Sequence, residues 1–397
     1  MKNFQSEPSL DVTVALLLHG DPPQIREVVQ AILSQEFARG AISILCLDDG
    51  TSPRAAATLK QLPVRVVRVP PDSSISHAKN VALRLATDEF VFFLDDHLTL
   101  EPGGIAAAMD VFQKDPELAG VCGFYRSAKT SDWNILRDIK RHSIYGKATR
   151  PRTITLEEFT TFSTGIGIVR RSVFLHLGFP EDDFPPDFGG EDTPALVEAL
   201  NRGLRFAYEP KLSGLHEHNL TSIQFLRKIE IEVRGRFSVF YWASGRPELR
   251  VPYLHGYLNF PLFLYVALLV FVPASVAWGA WALLVPCGFL ALEVFHSLRC
   301  LSTSISYPLR LRLLATLYVL GSDLLTPLCG IQYLVSSYRR PYASLGLRRG
   351  LAMIRMFAAW ELSKAALGLR PRLQPRSGHR PVESAASRLI QEPEDAA

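Results

Sequence analysis

The first hundred residues repeat one pattern: an unbroken apolar run, a polar turn, then an amphipathic stretch at helical spacing. Val12 opens VTVALLL, HGDPPQ supplies turn chemistry, and IREVVQAILSQEF follows with apolar residues three and four apart. An apolar run of that length fits a strand covered on both faces. The pattern then recurs: AISILCLDDG is a second strand, RAAATLKQL a short helix, VRVVRV a third strand, and SHAKNVALRLAT a helix leading into FVFFLDDH. FAYEP, near residue 208, reads as the last strand. Strands alternating with helices predict an α/β fold, a parallel sheet with helices on both sides that binds ligands at the carboxyl ends of its strands.

The acids fall at those ends. Asp48 and Asp49 close the second strand, and Asp95 and Asp96 close the fourth, on the same predicted edge. One such pair is ordinarily a helix cap or a turn, as Asp49-Gly50 illustrates. Two pairs on one edge point to a shared crevice. No GxGxxG follows the first strand and no GxxxxGK[ST] occurs anywhere, which excludes a Rossmann dinucleotide site or a P-loop. Acids clustered on rigid strand ends suit a divalent cation, Mg2+ or Mn2+, which takes a few carboxylates and leaves positions for diphosphate oxygens.

VTVALLL, AILSQEF, SILCLDDGTSP, SHAKNVALRLATDEFVFFLDD, STGIGIVRRSVFLHLGF, FGGEDTPALVEALNRGLRFAYEP and GLHEH stand in the order and spacing of a known family. Over residues 12–220 the chain resembles the inverting, nucleotide-sugar-dependent family 2 glycosyltransferases of the GT-A fold. The resemblance implies that Asp49 accepts a hydrogen bond from the base of the nucleotide and that Asp48 shapes the same turn. Lys79, in AKN where the family shows ARN, is implied as a contact to the nucleotide or its phosphates. Asp95 resembles the acid that holds the ribose or the metal. The family's metal position lies one or two residues on, so Asp96 and His97 are both candidates. Thr164 and Gly165, in FSTGIG, resemble the loop beneath the donor sugar, and His216 in LHEHN the histidine that completes the metal or diphosphate site.

Inverting transfer is a single in-line displacement, so the acceptor hydroxyl must lose its proton as it attacks. Asp192 in GGEDTPALVEAL resembles the family's catalytic carboxylate, with Glu191 beside it. The residues themselves allow this: Gly189-Gly190 permits close approach of the backbone, and both acids precede a helix whose N-terminus stabilises negative charge. A plain helix cap is the competing reading of the same pair. Trp133 and Trp242 are placed either against a sugar ring or, as core or interfacial anchors, away from it.

Three departures from the family's pattern matter. Leu18-His19-Gly20-Asp21 replaces P-x-Y-N, so the aromatic that stacks on the base is missing and His19 stands in its place. His97 occupies the second acid of D-x-D. LRKIEIEVRGRF stands where QxxRW would follow, which argues against a processive polysaccharide synthase. Alternatives to transfer onto a hydroxyl are transfer onto a polyprenyl phosphate, and a non-catalytic membrane scaffold that retains the fold.

Beyond residue 220 the composition changes. Residues 221–250, with Arg227, Lys228, Arg234, Arg236, Arg246 and Arg250, read as a basic juxtamembrane helical segment, and Val251 to Leu292 contains no Asp, Glu, Lys or Arg, about twice the ~20 residues a spanning helix needs. Two spans are expected, turning near Pro273 to Gly279. Leu313 to Val335 carries Asp323 at its middle and reads as a re-entrant hairpin, so 251–340 forms a membrane unit. Residues 341–397 hold an amphipathic helix, GLAMIRMFAAWELSKAAL, and a disordered tail. Arginines before the first span place 1–220 in the cytoplasm, against the plasma (inner) membrane. An uncleaved N-terminus without an apolar core agrees. The basic tail, with Glu361 its one acid from Arg339 to Arg380, fits an anionic membrane surface rather than nucleic acid. Donor nucleotide sugar, a lipid-linked or glycan acceptor, and a product such as a glycolipid or cell-envelope polysaccharide complete the expectation. The five cysteines form no CxxC pair.

Overall fold

A computed structural model describes residues 10–128 apart from 23, 39, 71 and 72; 151–216 apart from 156–161 and 182–189; 261–291 apart from 285 and 289; and isolated positions up to 318. The helix expected over GLAMIRMFAAWELSKAAL, the tail after Arg370, the re-entrant hairpin (apart from single positions such as Leu317) and Trp133 lie outside the described residues.

The first half runs β1 (Val12–Gly20), α1 (Ile25–Leu33), β2 (Ile42–Thr51), α2 (Pro53–Leu59), β3 (Arg65–Arg68), α3 (Ile75–Leu85) and β4 (Phe90–Asp95). Local signals start the helices. Ser52 accepts from Ala55 N at 3.1 Å ahead of Pro53, and Ser74 accepts from His77 N at 3.0 Å, each satisfying a backbone donor that the first turn leaves unpaired. The second half runs β5 (Leu98–Leu100), α4 (Gly104–Lys114), β6 (Leu118–Ser127), β7 (Arg152–Ile154), β8 (Ile166–Arg170), α5 (Arg171–Leu177), α6 (Asp192–Asn201) and β9 (Arg205–His216).

Among the described residues these strands form one sheet in the order β3-β2-β1-β4-β8-β6-β9-β5, with β7 also on β9. The parallel expectation holds for β1 to β4 and again for β6 with β9, and fails elsewhere. β8 runs antiparallel to both β4 and β6, and β5 and β7 run antiparallel to β9. β8 follows the short strand β7, with which it shares no pairing, and lies between β4 and β6 in the sheet. The last strand is also longer than FAYEP. Pairing with β6 carries it past Pro210 to His216, with a register shift between Cys122 and Phe124 that absorbs the proline's missing donor.

Both faces of the sheet are covered, which is why β1 and β4 are apolar without alternation. Val12, Val14, Leu16 and Leu18 share a core with Val28 and Ile32 of α1 and Ile105 and Phe112 of α4. On the opposite face Phe93 meets Phe179 edge-on at 5.4 Å, and Phe174 of α5 packs on both Phe179 and Phe206. Cys46 and Cys122 are buried in this core, and burial pushes both thiols up to about 12.

Downstream, α7 (Pro261–Trp278) continues through Pro273 and stops at Gly279, whose φ of +75° only glycine adopts readily, before a 3-10 turn at Ala280–Leu283. The turn expected near Pro273 to Gly279 therefore falls at its glycine end. Among the described residues no helix is long and apolar enough to cross a membrane. Trp242, one of the two tryptophans considered for sugar stacking, is 2% exposed with the Arg246 guanidinium 4.7 Å over its ring, so it packs inside the protein.

At the β6–β9 irregularity the backbones approach so closely that a Cβ on Gly123 would lie 1.8 Å from Leu212 O. Gly123→Ala is expected to destabilise the protein by about 1–3 kcal/mol or more, because the obstacle is backbone. Urea unfolding checks this, and an unchanged midpoint would show that β9 yields without cost.

Candidate active site

The register of the parallel strands sets the position of the acids. Leu17 pairs with Leu47 on one side and Asp95 on the other, and Leu18 pairs with Asp48, so both acidic strand ends reach the same edge at the same level. At that edge lies a cavity of about 460 Å³, within the range of small-molecule sites. His19, Asp49, Lys79, Asp95, Asp96, His97, Thr164, Gly165, Glu191 and Asp192 all line it. Asp48 does not line it. Asp48 is buried and accepts from Gly50 N at 3.0 Å and Thr51 N at 2.7 Å, which fixes the turn that presents Asp49. Burial opposes that carboxylate, but these hydrogen bonds and Arg68 outweigh it and lower its pKa. Asp49 Oδ1 lies 2.9 Å from His19 Nδ1, so the residue replacing the family's aromatic engages the acid implied to read the base.

Asp95, His97 and His216 form a cluster in which one ligand atom from each lies within 4.8 Å of the others. Three elements build it: the end of β4, the turn after it, and the end of β9. His216 is 3% exposed and its imidazole stacks on Tyr125 at 4.8 Å, with His97 edge-on at 4.3 Å. Asp96 stands outside the cluster, its Oδ1 2.7 Å from His97 Nδ1. That is the carboxylate–imidazole contact that steadies metal-binding histidines. Burial acts to raise the Asp95 pKa, yet the His216 imidazole, its Nε2 3.8 Å from Asp95 Oδ2, together with His97 and Lys79, prevails and holds it well below the usual carboxylate range. Two imidazoles and a carboxylate converging in this way fit a borderline transition-metal ion.

In the same cavity the Glu191-Asp192 pair does not act as a cap. α6 begins without a side-chain cap from Glu191, and Asp192 Oδ2 accepts from Thr164 N at 3.0 Å. Gly190, at φ +107°, turns the chain so that its N–H meets Glu191 Oε2 at 2.9 Å. Lys79, on α3, donates to both Thr164 Oγ1 and Glu191 Oε1, all three groups being buried. Gly165 leaves room for Asp95, since a Cβ there would lie 2.7 Å from Asp95 Oδ2. Desolvation and then the neighbouring Glu191 charge push the Asp192 carboxyl up from 3.8 to about 6, against the opposing pull of Lys79 and Thr164.

Three contributors went unnoticed in the sequence. Tyr125 reaches the site only because β6 pairs with β9, Tyr125 opposite Gly214 and Ser127 opposite His216. Ser163 lines the cavity beside Thr164. Asn80 clamps the backbone of Phe179, donating to its carbonyl at 2.9 Å and accepting from its N–H at 2.7 Å, and also donates to Glu181 at 2.6 Å. Its signal was present as the last letter of the AKN motif.

Residues 13–178 match the model of the family described as glycosyl transferase family 2, and that part of the chain belongs to the family. No curated protein matches the chain significantly. Among solved structures it is similar to a mannosyltransferase, PcManGT, from Pyrobaculum calidifontis in complex with GDP-Man and Mn2+, with 18% identity over 79% of this chain and 86% of the other and a TM-score of 0.49. It is similar to residues 1–349 of S. aureus TarS, 15% identical over 83% of this chain and 93% of the other, TM-score 0.44. A third likeness is to the glucosyl-3-phosphoglycerate synthase of Mycobacterium tuberculosis with Mn2+ and UDP-glucose, 17% identical over 59% and 78% of the two chains, TM-score 0.41. The mixed α/β sheet is consistent with a GT-A domain, and the family assignment rests on the sequence match.

The raised Asp192 pKa has a consequence for stability. The folded chain holds this proton more tightly than the unfolded chain, so the contribution of Asp192 is greatest below about pH 4 and is lost as pH rises through about 6. Chemical unfolding between pH 4 and 7 should show wild type losing stability relative to Asp192→Asn as pH rises. A pH-independent difference between the two would contradict this ionisation.

Proposed function

We propose that the chain is an inverting glycosyltransferase of the hexosyl type that moves a sugar from a nucleoside-diphosphate donor to an acceptor hydroxyl. The observation that carries the reading is that one cavity is lined both by Asp95 and His97, which His216 joins in a three-residue cluster, and by a carboxylate, Asp192, whose pKa is raised to about 6. The nucleotide lies toward Asp49 and His19, over the turn that Asp48 fixes. Thr164 and Gly165 lie beneath the donor sugar.

Asp192 accepts the proton of the acceptor hydroxyl as that oxygen bonds to the anomeric carbon. The bond from that carbon to the diphosphate oxygen breaks on the opposite face, so the configuration inverts and the nucleoside diphosphate leaves. A base with a pKa near 6 is largely ionised at pH 7 yet still takes a proton readily. Asp95, His97 and His216 would hold a divalent cation, which when bound offsets the charge gained by the leaving diphosphate. Two nitrogen donors out of three favour Mn2+ over Mg2+, which prefers oxygen. Asp96 orients His97.

The acceptor reading draws on the chain beyond the catalytic unit. The helix α7 carries no charged residue, and Val270, Val272, Val276 and the following Trp281 and Leu284 are exposed apolar side chains. Such a surface belongs against lipid, so the site works at a membrane, the cytoplasmic face of the plasma membrane, on a lipid-linked or glycan acceptor.

Release of nucleoside diphosphate from a panel of nucleotide sugars, with Mn2+ and with Mg2+, tests the activity on the full chain. Asp192→Asn is expected to lose ~10²–10⁴ in kcat, the range of a general base; a loss of a few fold would indicate an acceptor that needs no base, such as a lipid phosphate. His97→Ala and His216→Ala should each weaken Mn2+ binding measured without donor, whereas Asp96→Asn should weaken it less. Equal turnover of a short soluble acceptor and its lipid-linked form would remove the lipid-linked assignment.

A further inference from the structure

Lys79 is the one cation buried in the wall of this cavity, among the described residues, and its surroundings are unlike those of a ligand for a diphosphate. Its side chain is 6% exposed and ion-paired with Glu191, whose side chain is 7% exposed. A second N–H donates to Thr164 Oγ1. The ammonium lies 5.2 Å from the Phe179 ring centre and 5.9 Å from that of Phe93, so aromatic faces cover it as well. Releasing it to a phosphate would strand Glu191 as a buried, uncompensated carboxylate, which is strongly unfavourable.

The hydrogen bonds run in another direction. Through Thr164, Lys79 reaches Asp192, because Thr164 N donates to Asp192 Oδ2 at 3.0 Å. Through Glu191, Lys79 reaches the Gly190 N–H and so the turn that delivers Asp192. We propose that Lys79 is a positioning residue for the base: a buried cation that ties α3 to the Thr164 loop and to the 190–192 turn, and does not bind the donor's phosphates. This rests on Asp192 being the base. Electrostatics agree, because Lys79 opposes the effects of burial and of Glu191 on the Asp192 carboxyl. The charged and titratable groups facing Asp192 are Glu191 at its own turn, Lys79 from α3 and Cys122 from β6, with Asp95 of β4 acting on Lys79.

The test uses the full chain, first without donor. A 13C titration of the Asp192 carboxyl, assigned by its loss in Asp192→Asn, should move up by about one pH unit or more in Lys79→Met and down in Glu191→Gln, since a nearby charge shifts a carboxyl by ~1–3 units. Lys79→Met combined with Glu191→Gln removes both charges, folds where the single change leaves Glu191 stranded, and should titrate near wild type. In turnover, Lys79→Met should lower kcat about tenfold or more and raise the acid limb of its pH profile with donor KM little changed, and Lys79→Arg should restore both. An unmoved Asp192 titration, or a donor KM raised about tenfold with the acid limb in place, overturns the proposal and makes Lys79 a phosphate ligand. If wild type turns over no nucleotide sugar, the function above fails, while the donor-free titration still decides whether Lys79 governs Asp192.

Discussion

The site depends first on parallel, in-register pairing of β1 with β2 and β4. Parallel strands need helical crossovers on their faces, so their carboxyl ends collect on one edge and their loops open there together. Leu17 is the reference point, level with Leu47 and Asp95, and from it the positions of Asp48, Asp49 and Asp96 follow. A slip of one residue in β4 would exchange the buried faces that Phe92 and Phe93 fill and take Asp95 off the level of Leu17. Burial of Val12 to Leu16 and of Phe90 to Leu94 on both faces therefore fixes the acids as firmly as it fixes the core.

The second constraint is the reversal of direction at β8. Running antiparallel to β4, it places Thr164 and Gly165 beside the end of β4 rather than at the far side of the sheet. Gly165 then abuts Asp95 directly, where a side chain would collide. β9, parallel to β6 and longer than its sequence suggests, ends at His216 beside His97 and Tyr125. The cavity is thus assembled where parallel and antiparallel pairs meet in one sheet.

Charge inside the cavity is arranged so that neighbouring carboxyls differ. Asp95, near two imidazoles, is held ionised; Asp192, desolvated beside Glu191, is pushed toward neutrality. Both lie close to Lys79, which helps keep two acids and a glutamate in one small volume. An acid held as an anion suits a cation, and an acid with a pKa near 6 suits proton transfer, so environment divides labour among residues of the same type.

The sequence by itself determined the alternation of strand and helix, the strand ends as the site of acids, and the family, because apolar runs and turn residues are local signals. It placed Asp48, Asp49, Asp95 and Asp96 at one edge, and the family resemblance added Thr164, Glu191 and Asp192 to the site, yet it left Asp96 and His97 as equal metal candidates and Glu191-Asp192 open to a cap. Those choices depend on which atom faces which. Successive residues at the end of a strand diverge in direction, so only the fold shows that Asp95, not Asp96, converges with His97 and His216. Tyr125 and the Lys79–Glu191 pair were beyond reach for a related reason: their partners lie 91 and 112 residues away in the chain. Contacts of that span leave no periodicity to read, and the tertiary structure alone decides them.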